Sequence, residues 1–309
     1  MNRIKGLLYG IISSSTFGLI PLFALPVIQR GIGVDSVMIY RFGISALVLG
    51  IWLLFRQHEL KVTVKELLTL TVLGIFYSLT ALLLTSSYLY ISSGVATTIH
   101  FLYPVAVTLV MILFFREKVS FPLILAILMA ISGVYLLCNN SAGGTIHLKG
   151  FMMVLVTVVT YALYIVGVNK SCVQQMDGLK MTFYVLFVGT VVFGVNLLVK
   201  GIALDPVPDI QTGINLLLLA LIPTLVSDFT LILSVQHLGS TTTAVLGCME
   251  PLTAVVMGFL FLHEELGLWQ LGGMFLILFA VSIVILASSK EGFSLKSLIP
   301  AGWWKLERK

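Results

Sequence analysis

The 309-residue chain is 59% hydrophobic and only 10% charged, with a formal net charge of +5. A soluble domain carries roughly 25% charged residues and less than half apolar ones, so a water-soluble core is excluded and the solvent must be lipid. The basic residues gather at span boundaries, which excludes a nucleic-acid footprint, and spans with short links leave no length for a soluble catalytic domain.

Taken in order, apolar runs bounded by charge, glycine or proline predict transmembrane helices at Leu7–Ile28, Val34–Phe55, Leu67–Tyr88, Gly94–Phe115 and Phe121–Cys138. A second set follows at Gly150–Val168, Leu179–Val199, Gly213–Leu233, Thr241–Leu262 and Leu268–Ala287. Helices are expected because every backbone amide in hydrocarbon must be bonded within its own segment. The first run follows Arg3 and Lys5 but contains Pro21 and Pro26 and lacks a small-residue cleavage site, so it reads as a span and not as a signal peptide. Cys138, Cys172 and Cys248 have no paired spacing and read as small packing residues; neither a disulfide framework nor a metal site is expected.

Charge sets the orientation. With the amino terminus inside, cytoplasmic segments hold Arg3, Lys5, Arg56, Lys61, Lys65, Arg116, Lys118, Lys170 and Lys180, and the tail adds Lys290, Lys296, Lys305, Arg308 and Lys309. The opposite side keeps only Arg30, Lys149 and Lys200. By the positive-inside rule, both termini are predicted to be cytoplasmic. The tail from 290 to 309 reads either as an interfacial segment, with Trp303 and Trp304 at headgroup depth, or as a disordered basic end.

The chain repeats itself. Ser93–Lys118 and Ser240–Glu265 both open on small residues, carry a central proline (Pro104, Pro251) and close on charge. Aligning the prolines aligns Glu117 with Glu264, sets Tyr103 against Glu250, and sets His100 against Gly247. Gly6–Phe17 likewise resembles Gly150–Tyr161. The predicted organisation is therefore a first five-helix repeat over 1–138, a linker over 139–149 and a second repeat over 150–289. Five is odd, so the second copy enters from the other face, giving an all-α membrane protein of ten helices in two inverted repeats.

Ionisable groups at membrane depth need a partner or a task. Glu250 lies near the midplane, where desolvation disfavours the charged carboxylate; it reads either as a substrate-facing or proton-carrying acid, or as a neutral acid bonded to a neighbouring helix. His100 shares a face with Thr97, Pro104 and Thr108, and can bind solute, carry a proton, or bond across to a hydroxyl. Glu250 shares a face with Thr243, Gly247, Ala254 and Gly258, where small residues admit a helix or a solute. Arg41 can hold an anionic group, snorkel, or form a structural or gating pair, the reading favoured here. Asp228 is either a second cavity acid or an interfacial one. Glu117 and Glu264 suit helix capping, or pairs that change when their side opens. Tyr77, Tyr88, Tyr90, Tyr103, Tyr161 and Tyr164 supply aromatic faces for a cavity or anchors for an interface.

Arg41-Phe42, Ser93-Gly94, Pro104 with Glu117, Gly239-Ser240, Glu250-Pro251, Glu264 and Gly272-Gly273 together resemble the drug/metabolite transporter superfamily, in its ten-helix form with two EamA-type repeats. The likeness runs from about residue 6 to 287, and Lys118 against Glu265 and Pro122 against Trp269 are departures in loop geometry. It implies a solute carrier in the cytoplasmic membrane, often an exporter of amino acids or related amines and drugs, with a cavity between the repeats. Alternating access follows from two like halves, and proton coupling through Glu250 and His100 is the expectation from the residues. The expected partners are a small-molecule substrate, protons and membrane lipids, with no cofactor and no nucleic acid, and the oligomeric state left open. No Gly-Lys-Ser/Thr phosphate loop, second facing aspartate or His-Glu-x-x-His site occurs. A passive channel, a scramblase and an intramembrane Ser/His enzyme remain as rival readings.

Overall fold

A computed structural model describes residues 2–116, 121–139, 147–247, 249–261 and 267–290. Everything regular among them is helical. The elements are α1 (Asn2–Phe17), α2 (Ile20–Gln29), α3 (Val34–Phe55), α4 (Val64–Ser87), α5 (Ser93–His100), α6 (Tyr103–Phe115) and α7 (Phe121–Asn139). They continue as α8 (Leu148–Lys170), α9 (Gly178–Lys200), α10 (Ile210–Ala220), a π-helical turn (Leu221–Val226), α11 (Ser227–Leu238), α12 (Ser240–Leu246), α13 (Met249–Phe261) and α14 (Leu268–Lys290). Among the described residues, seven segments are long and apolar enough to cross a membrane; Lys5–Gln29, Ser93–Phe115 and Ile210–Leu238 are each built from more than one element. Side chains such as Leu54, Phe55, Leu113, Phe114 and Phe275 stand outward and exposed, an apolar belt that only lipid would solvate.

Local chemistry sets the ends. Thr63 and Glu66 form a reciprocal capping box at the start of α4, Asp177 accepts from Lys180 N, and Asp209 accepts from Thr212 N. Gly201, at φ 64°, closes α9 in the left-handed region that suits glycine, and Gly239, at φ 83°, makes the tight joint between α11 and α12.

The principal departure from the predicted helices is that three of them break. The sequence reading places one helix each over Leu7–Ile28, Gly94–Phe115 and Thr241–Leu262. The structure gives α1 and α2, α5 and α6, and α12 and α13. The cause is shared: Pro21, Pro104 and Pro251 lie one to two residues inside the second element of each pair and cannot donate to the carbonyl four residues upstream. Near the third break Glu250 N turns back to Gly247 O in a tighter bond. A break separates His100 from Pro104 and Thr108, and Glu250 from Thr243 and Gly247, so neither group lies on one continuous helix. The eighth predicted helix, Gly213–Leu233, is longer at both ends and carries the π turn at Pro223. Glu117, Glu264, Cys248 and the tail from 291 lie outside the described residues.

The packing pairs include α1 with α11, α4 with α8, α3 with α9, α4 with α9, α2 and α3 with α10, α6 with α8, α1 with α13, α5 with α13, α12 with α14, and α7 with α14. Exchanging α1–α2 with α8, α3 with α9, α4 with α10–α11, α5–α6 with α12–α13 and α7 with α14 maps these pairs onto one another, except that α12 with α14 has no counterpart of similar extent among the described residues. Each end of the bundle is tied by polar seams. At one end Arg30 pairs with Asp209 and Lys200 with Asp35, both at 2.8 Å, and Gly33 N and the Tyr40 hydroxyl donate to Asp205. At the other end Tyr184 donates to Leu60 O, Lys180 to Lys61 O, and Gln236 to Gln174 O and Met176 O.

Candidate functional site

The broken helices meet at mid-bundle. Helix α5 ends on His100 and α13 opens on Met249-Glu250, and α5 packs against α13. His100 Nε2 stands 3.8 Å from Glu250 Oε1, with both side chains buried. That distance is too long for a hydrogen bond, and neither atom has a hydrogen-bond partner among the described residues.

The other side of the imidazole fixes its tautomer. His100 Nδ1 lies 2.8 Å from Thr157 Oγ1 on α8, and Thr157 Oγ1 lies 2.6 Å from Val154 O. A carbonyl cannot donate, so the single Thr157 proton occupies the shorter contact and the hydroxyl accepts from Nδ1–H. In the neutral imidazole Nε2 is then a bare acceptor, turned toward the Glu250 carboxyl. A small closing movement would let Nε2 accept a hydrogen bond from a protonated Glu250 carboxyl.

The break in α12–α13 is supported from α1. Ser14 Oγ lies 2.7 Å from Gly10 O and 2.9 Å from Leu246 O, so its one proton is shared between its own helix and a carbonyl that the break leaves open. Gly18 lets α1 close onto the other side: a Cβ there would stand 2.5 Å from Glu250 O. Gly247 has a similar reason for being glycine, since a Cβ on it would fall 1.7 Å from Tyr103 Oη.

A ladder of rings leads away from the pair. His100 contacts Tyr161 at 5.1 Å, Tyr161 contacts Tyr164 at 6.2 Å, Tyr164 contacts Tyr77 at 5.0 Å, and Tyr77 contacts Phe42 at 5.6 Å. Phe17 stacks on both His100 and Tyr161. Midway along the ladder Tyr164 donates to Asp228 Oδ1 at 2.6 Å. Arg41 is fully buried beside Phe42, and its Nε donates to Thr224 Oγ1 in the π turn. Asp228 and Tyr77 lie within electrostatic reach of Arg41, and Glu250 within reach of Tyr77.

Of the residues singled out from the sequence, His100, Glu250, Tyr103, Gly247, Arg41 and Asp228 therefore gather in the interior. Thr97 uses its hydroxyl on Ser93 O within its own helix, and Thr243 faces Ser234 on α11 at 3.1 Å. Asp228, only 1% exposed, is an interior acid and not an interfacial one. The sequence reading missed Thr157, Thr224 and Ser14. Thr157 had one legible signal: with Tyr161 and Tyr164 it makes a polar stripe at i, i+4 and i+7 along an otherwise apolar helix.

Comparison with known proteins agrees with this architecture. The sequence profile of the EamA-like transporter family matches residues 4–139 and 148–286. An uncharacterized transporter of Bacillus subtilis, YvbV, is 27% identical over 252 residues, spanning 78% of this chain and 79% of that protein. An uncharacterized transporter of Archaeoglobus fulgidus is 28% identical over 128 residues, a match that spans 41% of this chain but only 45% of that relative. A crystal structure superposes with a TM-score of 0.68 at 15% identity, covering 94% of this chain and 100% of the other, a likeness of fold. With a family profile matching both halves over nearly its whole length, this multi-pass membrane chain belongs to the EamA-like transporter family.

Proposed function

We propose that the chain is a secondary active transporter that moves a small metabolite by alternating access, coupled to protons through Glu250 and His100. The observation that carries this reading is the buried, unbonded approach of His100 Nε2 to Glu250 Oε1 where two broken helices cross. A protonated carboxyl shut away from water needs a hydrogen-bond acceptor, and the imidazole nitrogen facing it has no other partner among the described residues. Opening the crossing to water would change the solvation of both groups, which is what links proton exchange to a change of access.

The wider reading is of ten spans in two inverted five-helix repeats, 1–138 and 150–289, joined by the 139–149 linker. Its support is the exchange rule among the packing pairs and the alignment of Pro104 with Pro251. Two like halves related in this way can trade roles at the two faces. The charge asymmetry of the loops supports cytoplasmic termini in the plasma membrane. The expected cargo is an amino acid or a related amine or drug, and the expected direction is export.

The test is a thermal-shift screen of the purified protein against amino acids, amines, nucleosides and drug-like cations, followed by transport in liposomes. The reading predicts a ligand whose stabilisation vanishes in Glu250→Ala and His100→Ala, and whose flux saturates and shows counterflow. Stabilisation that survives both substitutions would move the site elsewhere, and flux that neither saturates nor exchanges would replace the carrier with a pore.

A further inference from the structure

Arg41 is held in place but not neutralised. Its guanidinium carries five N–H donors in a planar fork, and the structure engages only Nε, at 2.5 Å from Thr224 Oγ1. Thr224 gives its own proton to Leu219 O, five residues back across the π turn, so it is fixed as an acceptor. Phe42 flanks the guanidinium, with Cζ 5.6 Å from the ring centroid. Nη1 and Nη2 meet no acceptor among the described residues, although the side chain is 0% exposed.

The groups around the fork are open in a complementary way. Asp228 commits Oδ1 to Tyr164, while Oδ2 has no partner among the described residues, and the Tyr77 hydroxyl has none either. Asp228 is near enough to act electrostatically on Arg41 and yet does not pair with it. A buried guanidinium without an acceptor is costly, and such an arrangement persists where something else completes it.

We propose that the Arg41 fork is the anion subsite of the transported solute. It takes one carboxylate of that solute through Nη1 and Nη2, while Asp228 Oδ2 and the Tyr77 hydroxyl meet a hydrogen-bond donor of the same molecule. This rests on the reading of the interior as the solute site. A carboxylate fits because its two coplanar oxygens match the fork and it carries a single charge; a dianionic phosphate would also face the Asp228 carboxylate. Amines and cations without a carboxylate would leave the guanidinium unanswered.

The experiment uses the full chain in detergent and in liposomes, with matched probes: phenylalanine, leucine and serine, each beside its carboxamide and its decarboxylated amine, together with acetate and phenylpropionate. The proposal expects a carboxylate-bearing probe to raise the melting temperature and drive counterflow, and its amide and amine to bind roughly 10- to 100-fold more weakly. Arg41→Gln should erase that preference and Arg41→Lys should restore part of it. Amides or amines that bind as tightly as the acids would overturn the proposal, as would a panel silent in every carboxylate. Should Arg41→Gln fail to fold, the acid-against-amide series on the unsubstituted protein decides the matter alone. Saturable transport of an amine with no acid preference would sink this subsite while leaving the carrier reading intact.

Discussion

Two contacts at the centre of the molecule are counterparts, and they are filled by opposite chemistry. Aligning Pro104 with Pro251 makes Tyr103 the counterpart of Glu250, and His100 the counterpart of Gly247. In space His100 meets Glu250, and Tyr103 meets Gly247. The same crossing thus occurs twice, once as an acid and a base standing 3.8 Å apart and once as a phenol pressed onto bare backbone. The second contact is packed shut, whereas the first keeps two polar atoms unbonded. The difference teaches where the fold is spent on rigidity and where it keeps a proton available.

The largest way to break this comparison is to put a side chain at the packed contact. Gly247→Ala forces a methyl to within 1.7 Å of Tyr103 Oη, and 2.8 Å from Ala244 O, so backbone as well as ring must move. The cost should reach or exceed the upper end of the roughly 1–3 kcal/mol typical of overpacking, read as a fall in melting temperature. Adding Tyr103→Leu, which removes the hydroxyl, should recover part of it.

Next comes the polar contact. Thr157→Val keeps the shape of the side chain but leaves His100 Nδ1–H without its acceptor, at a cost of about 1–3 kcal/mol if the proton stays. The cheaper response is a change of tautomer. Nitrogen-15 spectra of histidine-labelled protein should show His100 with its proton on Nδ1 in the parent and on Nε2 in Thr157→Val, with Thr157→Ser restoring the parental signal.

A smaller effect is expected where α1 supports the break. Ser14→Ala removes the hydroxyl shared between Gly10 O and Leu246 O and should cost at most about 1 kcal/mol, without altering the His100 signal. That would separate support of the break from control of the proton.

The smallest effect lies at the rim, away from both contacts. Asp209 caps α10, and the Thr212 backbone N–H, then the Thr212 hydroxyl and the Arg30 guanidinium, hold its carboxyl below the usual carboxylate range. A group depressed in the folded state adds stability above its unfolded pKa, near about 3.9 for aspartate, and loses it as pH falls through the folded value. Asp209→Asn should remove that part of the acid sensitivity, slightly and less so in high salt, and leave the two central contacts untouched.

Much of this was legible before any coordinates. The membrane class and the succession of apolar helices follow from composition and charge alone. Pro21, Pro104 and Pro251 are visible in the sequence as residues without a donor, and at each of them the helix stops and restarts. Thr157, Thr224 and Ser14 were hidden for a physical reason. A hydroxyl in an apolar helix ordinarily bonds its own helix three or four residues back, as Thr97 and Thr108 do. Which hydroxyl also reaches a neighbouring helix is set by packing across the bundle, which no local pattern encodes. The π turn was equally silent, since Pro223 alone reads as a kink.

The central claim is that the unbonded acid at the first contact carries the coupling proton. The most direct measurement is solute-driven proton movement in proteoliposomes, using a ligand found by thermal shift, for the parent protein and Glu250→Gln. The account predicts that the parent moves protons with the solute, and that Glu250→Gln still exchanges solute across the membrane but moves no protons and loses its pH dependence. Proton movement by Glu250→Gln at the parental ratio to solute would contradict it.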